Sequence, residues 1–192
     1  MAIAVGLRHS SADATSSKHV LWRSGQYLFL ITRDSNNKYL PLACAIVPGE
    51  TKEAYQYFAR ELKKWGADKY LNLEESSIIS DRDKGLEQLH LAFELAHHLS
   101  CFKHIVPNCK RQAGKTKDGI AWAMQRAQSK DEYLEFLENM RVFNPEAAKY
   151  LHSLPHEEVF FYAYNEKGVS TYNHSTSNSS EECSEHYELS IH

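Results

Sequence analysis

The order of elements in this 192-residue chain predicts an α/β protein, a mixed sheet with helices packed on it. Three observations carry that reading. A β-hairpin pattern occupies residues 26–47, a strand-turn-helix pattern follows at 76–96, and beyond residue 112 the apolar spacing is helical.

Along the chain, residues 9–17 (His-Ser-Ser-Ala-Asp-Ala-Thr-Ser-Ser) are too polar for propensity alone to predict a strand. Residues 26–32 (Gln-Tyr-Leu-Phe-Leu-Ile-Thr) are rich in β-formers, 34–37 (Asp-Ser-Asn-Asn) are turn formers, and 39–47 turn apolar again, which together predict the hairpin. Pro48-Gly49 ends it. From Thr51, the residues Tyr55, Phe58, Leu62 and Trp65 recur at helical offsets, and Gly66 closes that helix. Ser76 to Ser80 reads as a short strand ending at Asp81. Leu86, Leu89, Phe93 and Ala96 then mark a second helix, and residues 97–106 a short strand passing into a helix. Further on, Ser129 with Glu132 forms a capping box ahead of Tyr133, Leu137 and Met140, and Asn144-Pro145 supplies an N-cap with proline at the first helical position. The tail from Tyr172 is polar, then acidic, and by composition reads as loop. The aromatics Tyr27, Phe29, Tyr55, Phe58 and Trp65 are expected in the core, and Trp122 is expected to pack there too rather than to stack on a nucleic-acid base.

Composition removes several function classes. A net charge of −3 with 42% hydrophobic and 24% charged residues fits a globular chain and excludes collagen-like, coiled-coil and fully disordered readings. The longest apolar run, 42–47, is far too short to span a bilayer, and the first residues lack the basic leader of a signal peptide, so a soluble intracellular protein is expected. Four cysteines are too few for a disulfide scaffold. A slightly acidic chain is a poor non-specific DNA binder, so any nucleic-acid role must rest on a local site.

Among groups that carry chemistry, Asp81 and Asp83 bracket an arginine at the mouth of a strand, where α/β sheets gather ligands, and carboxylates there suit Mg²⁺. The competing reading is a solvated turn capping the next helix. Cys101/His104 and Cys183/His186 share C-x-x-H spacing and could form a zinc site, although neither pair has the spacing of a known zinc module. The basic stretch Lys103, Lys110, Arg111, Lys115 and Lys117 is either a phosphate contact or an ordinary solvated face. Neither G-x-x-x-x-G-K-[ST] nor G-x-G-x-x-G occurs.

Several segments, taken together, resemble the transposase domain of Mutator-like elements (MULE). Asp13-Ala14-Thr15 is similar to the family's first "D-G/A-T" strand, and residues 32–43 to its hairpin "grDgnn…PLA". Residues 46–51 resemble "ai…sET", and 80–86 (Ser-Asp-Arg-Asp-Lys-Gly-Leu) the second acidic motif "sDr.kGL". Residues 101–108, with Cys101 and His104, resemble "C-x-x-H-i..N", and 176–181 resemble "tSN..E", which carries the third acidic residue. The six segments come in the family's order and span nearly the whole chain.

The resemblance implies a ribonuclease H-like fold whose core is split into residues 1–111 and 159–192 by a helical insert at 112–158. It implies a catalytic triad of Asp13, Asp81 and Glu181 that binds two Mg²⁺ or Mn²⁺ ions for DNA strand cleavage and strand transfer. Glu182 is an alternative third ligand, and Asp83 a candidate for orienting the others. DNA, transposon ends and target alike, is the implied partner, with a homo-oligomer on DNA and the nucleus as the site of action. The polar start then becomes the first strand and the polar tail the start of a closing helix. The alternative function is a catalytically inactive or domesticated remnant that binds DNA or protein. The chain lacks zinc-finger and SWIM-type modules around these motifs, and is expected to be a catalytic core alone.

Overall fold

A computed structural model of the protein describes residues 9–16, 25–33, 38–81 and 84–169. The turn at 34–37, Arg82-Asp83 and everything past Val169, including Glu181, Glu182, Cys183 and His186, lie outside the described residues. The described part divides between His98 and Leu99 into two compact units.

Five strands, β1 (His9–Ser16), β2 (Gln26–Arg33), β3 (Tyr39–Val47), β4 (Ser77–Ser80) and β5 (His97–Ser100), form one sheet in the order β3-β2-β1-β4-β5. β1 and β2 run antiparallel, as do β2 and β3, whereas β1 and β4 are parallel. This mixed sheet flanked by helices is compatible with the ribonuclease H-like fold that the family resemblance implies.

The polar start of the chain is thus an interior strand. Two neighbours satisfy its backbone on both sides, and Ser10, Ser11 and Ala12 are small enough to be buried there. The Ser11 hydroxyl donates to the Ile31 carbonyl at 3.5 Å. Tertiary pairing here overrides the low β-propensity of serine. In β2, Leu28 and Leu30 face one core cluster, while Phe29 and Ile31 pack with Tyr27 and Tyr39 in another. The register slips between Leu30 and Ile31, which pair with Ala43 and Pro41 and leave Leu42 as the extra residue of a bulge.

Two longer helices cover the first of those faces. In α1 (Lys52–Lys64), the Thr51 hydroxyl caps the helix by accepting the Ala54 N–H at 3.2 Å, and Tyr55, Phe58 and Leu62 are buried as the spacing predicts. The helix ends in a Schellman motif. Gly66, at φ 81°, donates to the Lys63 carbonyl, and the Ala67 N–H reaches back to Leu62. Trp65 corrects the sequence expectation, because it is 88% exposed. The helix ends at Lys64, and Trp65 is its C-cap with non-helical backbone, so the helical offset no longer sets where this side chain points. A short turn, α2 (Asp68–Leu71), follows, and then α3 (Lys84–Ala92) brings in Leu89, with Phe93 and Ala96 just after it. Full burial of an aliphatic or Phe side chain such as Phe58, Leu89 or Phe93 contributes roughly 1.5–3 kcal/mol each.

The second unit is helical: α4 (Phe102–Ala113), α5 (Asp118–Arg126), α6 (Lys130–Phe143), α7 (Pro145–His152), α8 (His156–Val159) and α9 (Phe161–Glu166). One cluster that includes Phe102, Met124, Tyr133, Leu137, Met140, Leu151 and Phe160 forms its core. The Ser129 hydroxyl accepts the Glu132 N–H at 3.2 Å, as the capping box requires. The return bond moves by one residue: the Glu132 carboxylate accepts the Gln128 N–H at 2.7 Å. Asn144 caps α7 through Oδ1, while its Nδ2 donates to the carbonyls of Ala113 and Lys115 at 2.9 and 2.8 Å. Trp122 packs edge-on to Phe102, with ring centroids 4.9 Å apart, as expected of a core aromatic.

Candidate functional site at the β1/β4 strand ends

The parallel ladder between β1 and β4 determines which residues meet at the mouth of the sheet. His9 pairs with Ser77, Ser10 with Ile78, Ser11 with Ile79 and Ala12 with Ser80. The next residue on each strand is an aspartate, Asp13 within β1 and Asp81 immediately after β4. Neighbouring strands lie about 4.8 Å apart, so positions 13 and 81 stand side by side in the backbone. On its other flank, position 13 pairs with Phe29 of β2.

Local chemistry holds the Asp81 corner. All four residues of β4 are buried, Ile78 in the core beneath α1 and α3, so the strand end is fixed from below. The Ser80 hydroxyl donates to the Asp81 carbonyl at 3.0 Å, which stiffens the peptide leaving the strand. Asp81 is only partly buried, and helix α3 begins three residues later at Lys84. A carboxylate at the C-terminal end of a strand, followed by a short loop and a helix, is the usual location for a ligand in an α/β sheet. Two carboxylate-bearing positions side by side offer oxygen donors, the kind that hard divalent cations prefer. Among the described residues, no group of three or more His, Cys, Asp or Glu converges as a metal site.

The C-x-x-H pair belongs to the helical unit. Cys101 is fully buried at the N-cap position of α4, and the His104 N–H donates to the Cys101 carbonyl at 3.2 Å. Next to Cys101 in charge terms is Tyr164, whose hydroxyl donates to the Glu158 carbonyl at 2.7 Å and whose pKa burial raises far above the ordinary phenol value. This is the setting of a packed helix start. The basic stretch lies exposed on α4 and the loop after it. Lys110 is paired with Asp118 at 2.7 Å, Arg111 donates to Asn108, and Lys117 sits over the Phe143 ring.

One titratable pair escaped sequence reasoning. His90 on α3 and His98 on β5 have ring centroids 3.5 Å apart. His98 Nε2 donates to the Phe93 carbonyl at 3.0 Å, since a carbonyl only accepts, and this fixes the tautomer. Burial first, and the neighbouring His90 second, pull the His98 pKa down from 6.5 to about 4. The pair joins two elements, so no helical or strand spacing could have signalled it.

Residues 19–108 match the family model described as the MULE transposase domain. No curated protein matches the chain. The matched interval contains the β2-β3 hairpin, the Asp81 corner and the C-x-x-H pair, whereas Asp13 and Glu181 fall on either side of it. The hairpin, the second acidic motif and the C-x-x-H pair all fall inside that interval, so slightly less than half of the chain, residues 19–108, is similar to the MULE transposase domain.

Proposed function

We propose that the protein is the catalytic core of a DNA transposase, cleaving and joining DNA strands with the help of divalent metal ions. The observation that carries this reading is the β1/β4 register, which puts positions 13 and 81 next to each other at the open end of the sheet. Asp13, Asp81 and Glu181 are the proposed ligands, with Mg²⁺ or Mn²⁺ as the ions. Carboxylates gathered at one place repel each other, and divalent cations relieve that repulsion. Divalent ions held by these carboxylates would supply activation of the attacking oxygen and charge stabilisation of the leaving one at phosphorus. The chain's own part is to hold its carboxylates at fixed strand positions, so that the scissile phosphate meets a rigid site, with β4 anchored in the core and the Ser80 hydroxyl bracing the Asp81 peptide.

DNA is the substrate that the transposase reading implies, and the nucleus is the place of action if the substrate is a eukaryotic chromosome. The exposed cations of α4 and the loop behind it, Lys103, Arg111 and Lys115, supply phosphate-compatible charge on an otherwise slightly acidic chain.

The test is a nicking and strand-transfer assay on duplexes bearing candidate transposon ends. Cleavage should require Mg²⁺ or Mn²⁺, stop on chelation, and fall at least ~100-fold in Asp81→Asn, a loss in keeping with removal of one electrostatic stabiliser. A folded chain that binds the duplex but cuts nothing, with or without metal, would overturn the catalytic reading in favour of a DNA-binding remnant.

A further inference from the structure

At the opposite side of the sheet from β5, strand β3 forms the edge, and among the described residues it is paired only with β2. Its outer row of backbone donors and acceptors is a template for another strand. Natural edges are usually blunted by charge or proline. Here Pro41 removes one donor near the start, but residues 42–47 (Leu-Ala-Cys-Ala-Ile-Val) carry neither.

That edge borders an apolar groove of about 820 Å³ between β3 and the α1-α2 corner. Leu42, Ile46, Tyr57, Trp65 and Tyr70 line it, and each is exposed: Ile46 by 51% and Trp65 by 88%. A tryptophan this exposed costs hydrophobic free energy unless something covers it. With a fully exposed aromatic side chain worth roughly 150–250 Å², Trp65, Tyr57 and Tyr70 alone offer about 300–400 Å². That is nearly half of the ~800 Å² that each partner buries in a standard interface, before the aliphatic residues and the strand backbone are added.

We propose that β3 and this groove form a homodimer interface, with β3 of one copy pairing antiparallel to β3 of a second copy about a two-fold axis. In an isologous contact the β3 edge and the groove of one copy meet the same features of the other, because each copy offers both. Trp65 and Tyr70 flank the extended ten-strand sheet and pack against the partner's edge. The interface lies on β3, α1 and α2, away from the β1/β4 strand ends, so it does not depend on the metal reading.

Sedimentation equilibrium over a concentration series, with the full chain and without DNA, tests this directly. The wild type should be a reversible dimer. Ile46→Lys, which puts a charge on the edge, and Trp65→Ala, which removes the largest contact, should each weaken dimerisation by about 30-fold or more, as loss of one interfacial hot spot does. Both side chains are exposed, so far-UV circular dichroism should not change, and any fall in melting temperature should vanish at concentrations where the wild type is itself monomeric. A short bis-maleimide should join two copies through the exposed Cys44 in the middle of β3, and Cys44→Ser should abolish that product. A strictly monomeric wild type would overturn the proposal and leave the edge to a strand from a different protein. A dimer indifferent to both substitutions, or a cross-link that persists in Cys44→Ser, would place the interface elsewhere and overturn it equally.

Discussion

Replacing His98 by glutamine should remove a large part of the acid sensitivity of the sheet unit. In the folded protein the imidazole is largely buried against the His90 ring and resists protonation until about pH 4, whereas in the unfolded chain it takes up a proton near 6.5. Between those values the unfolded state holds more protons than the native state, so stability rises with pH across the window. The stabilisation is complete above pH 6.5 and is lost as pH falls towards 4. At ~1.4 kcal/mol per pH unit, the interval caps the effect at ~3.5 kcal/mol, and about 2.5 kcal/mol of it should be gone at pH 4.5. The neutral amide of His98→Gln can still donate to the Phe93 carbonyl but takes up no proton, so the variant lacks this component. Urea unfolding at pH 7.5 and 4.5 measures it. Carboxylates titrate in the same range in both proteins, so the difference between the two pH-induced losses isolates His98. Equal losses in wild type and variant would refute the reasoning.

Other perturbations read out the two units separately. Phe93→Ala empties a fully buried site beneath the sheet and should cost about 3–5 kcal/mol in denaturant unfolding. Asn144→Ala removes the α7 cap and two donations, one to the last residue of α4 and one to the loop after it, so it should lower stability by roughly 2–3 kcal/mol, and hydrogen exchange should localise the loosening to the helical unit. Gly114 closes α4 at φ 80°, which an L-residue adopts only under strain, and Gly114→Ala should cost about 1 kcal/mol in thermal unfolding although open space surrounds the site.

The elements legible in the sequence are those whose pattern and environment agree. The hairpin, α1, β4 and the Asn144-Pro145 cap each combine a local signal with one buried face, and the structure has them where the spacing puts them. β1 was not legible from its residues. Its serines bury only because two neighbouring strands satisfy the backbone, and propensity does not record long-range pairing. It took the similarity of Asp13-Ala14-Thr15 to a family motif to suggest a strand there. Trp65 failed for the opposite reason: helical offset was extended one residue past the point where the helix ends. At the candidate site, the strand-turn-helix pattern around Asp81 was readable locally, whereas its neighbour at position 13 depends on a parallel register that no window of sequence contains. Glu181 lies beyond the described residues, so its place rests on the motif alone.

The central claim is that carboxylates at positions 13 and 81 share a divalent cation, and calorimetric titration of the full chain with Mn²⁺ tests it most directly. The account predicts binding that weakens at least ~10-fold in Asp13→Asn and in Asp81→Asn, as loss of a charged oxygen ligand from the site demands. Glu181→Gln should weaken it likewise, unless Glu182→Gln does so in its place. A wild-type chain that is folded yet binds no Mn²⁺, or an Asp81→Asn variant that binds it as tightly as the wild type, would contradict the account.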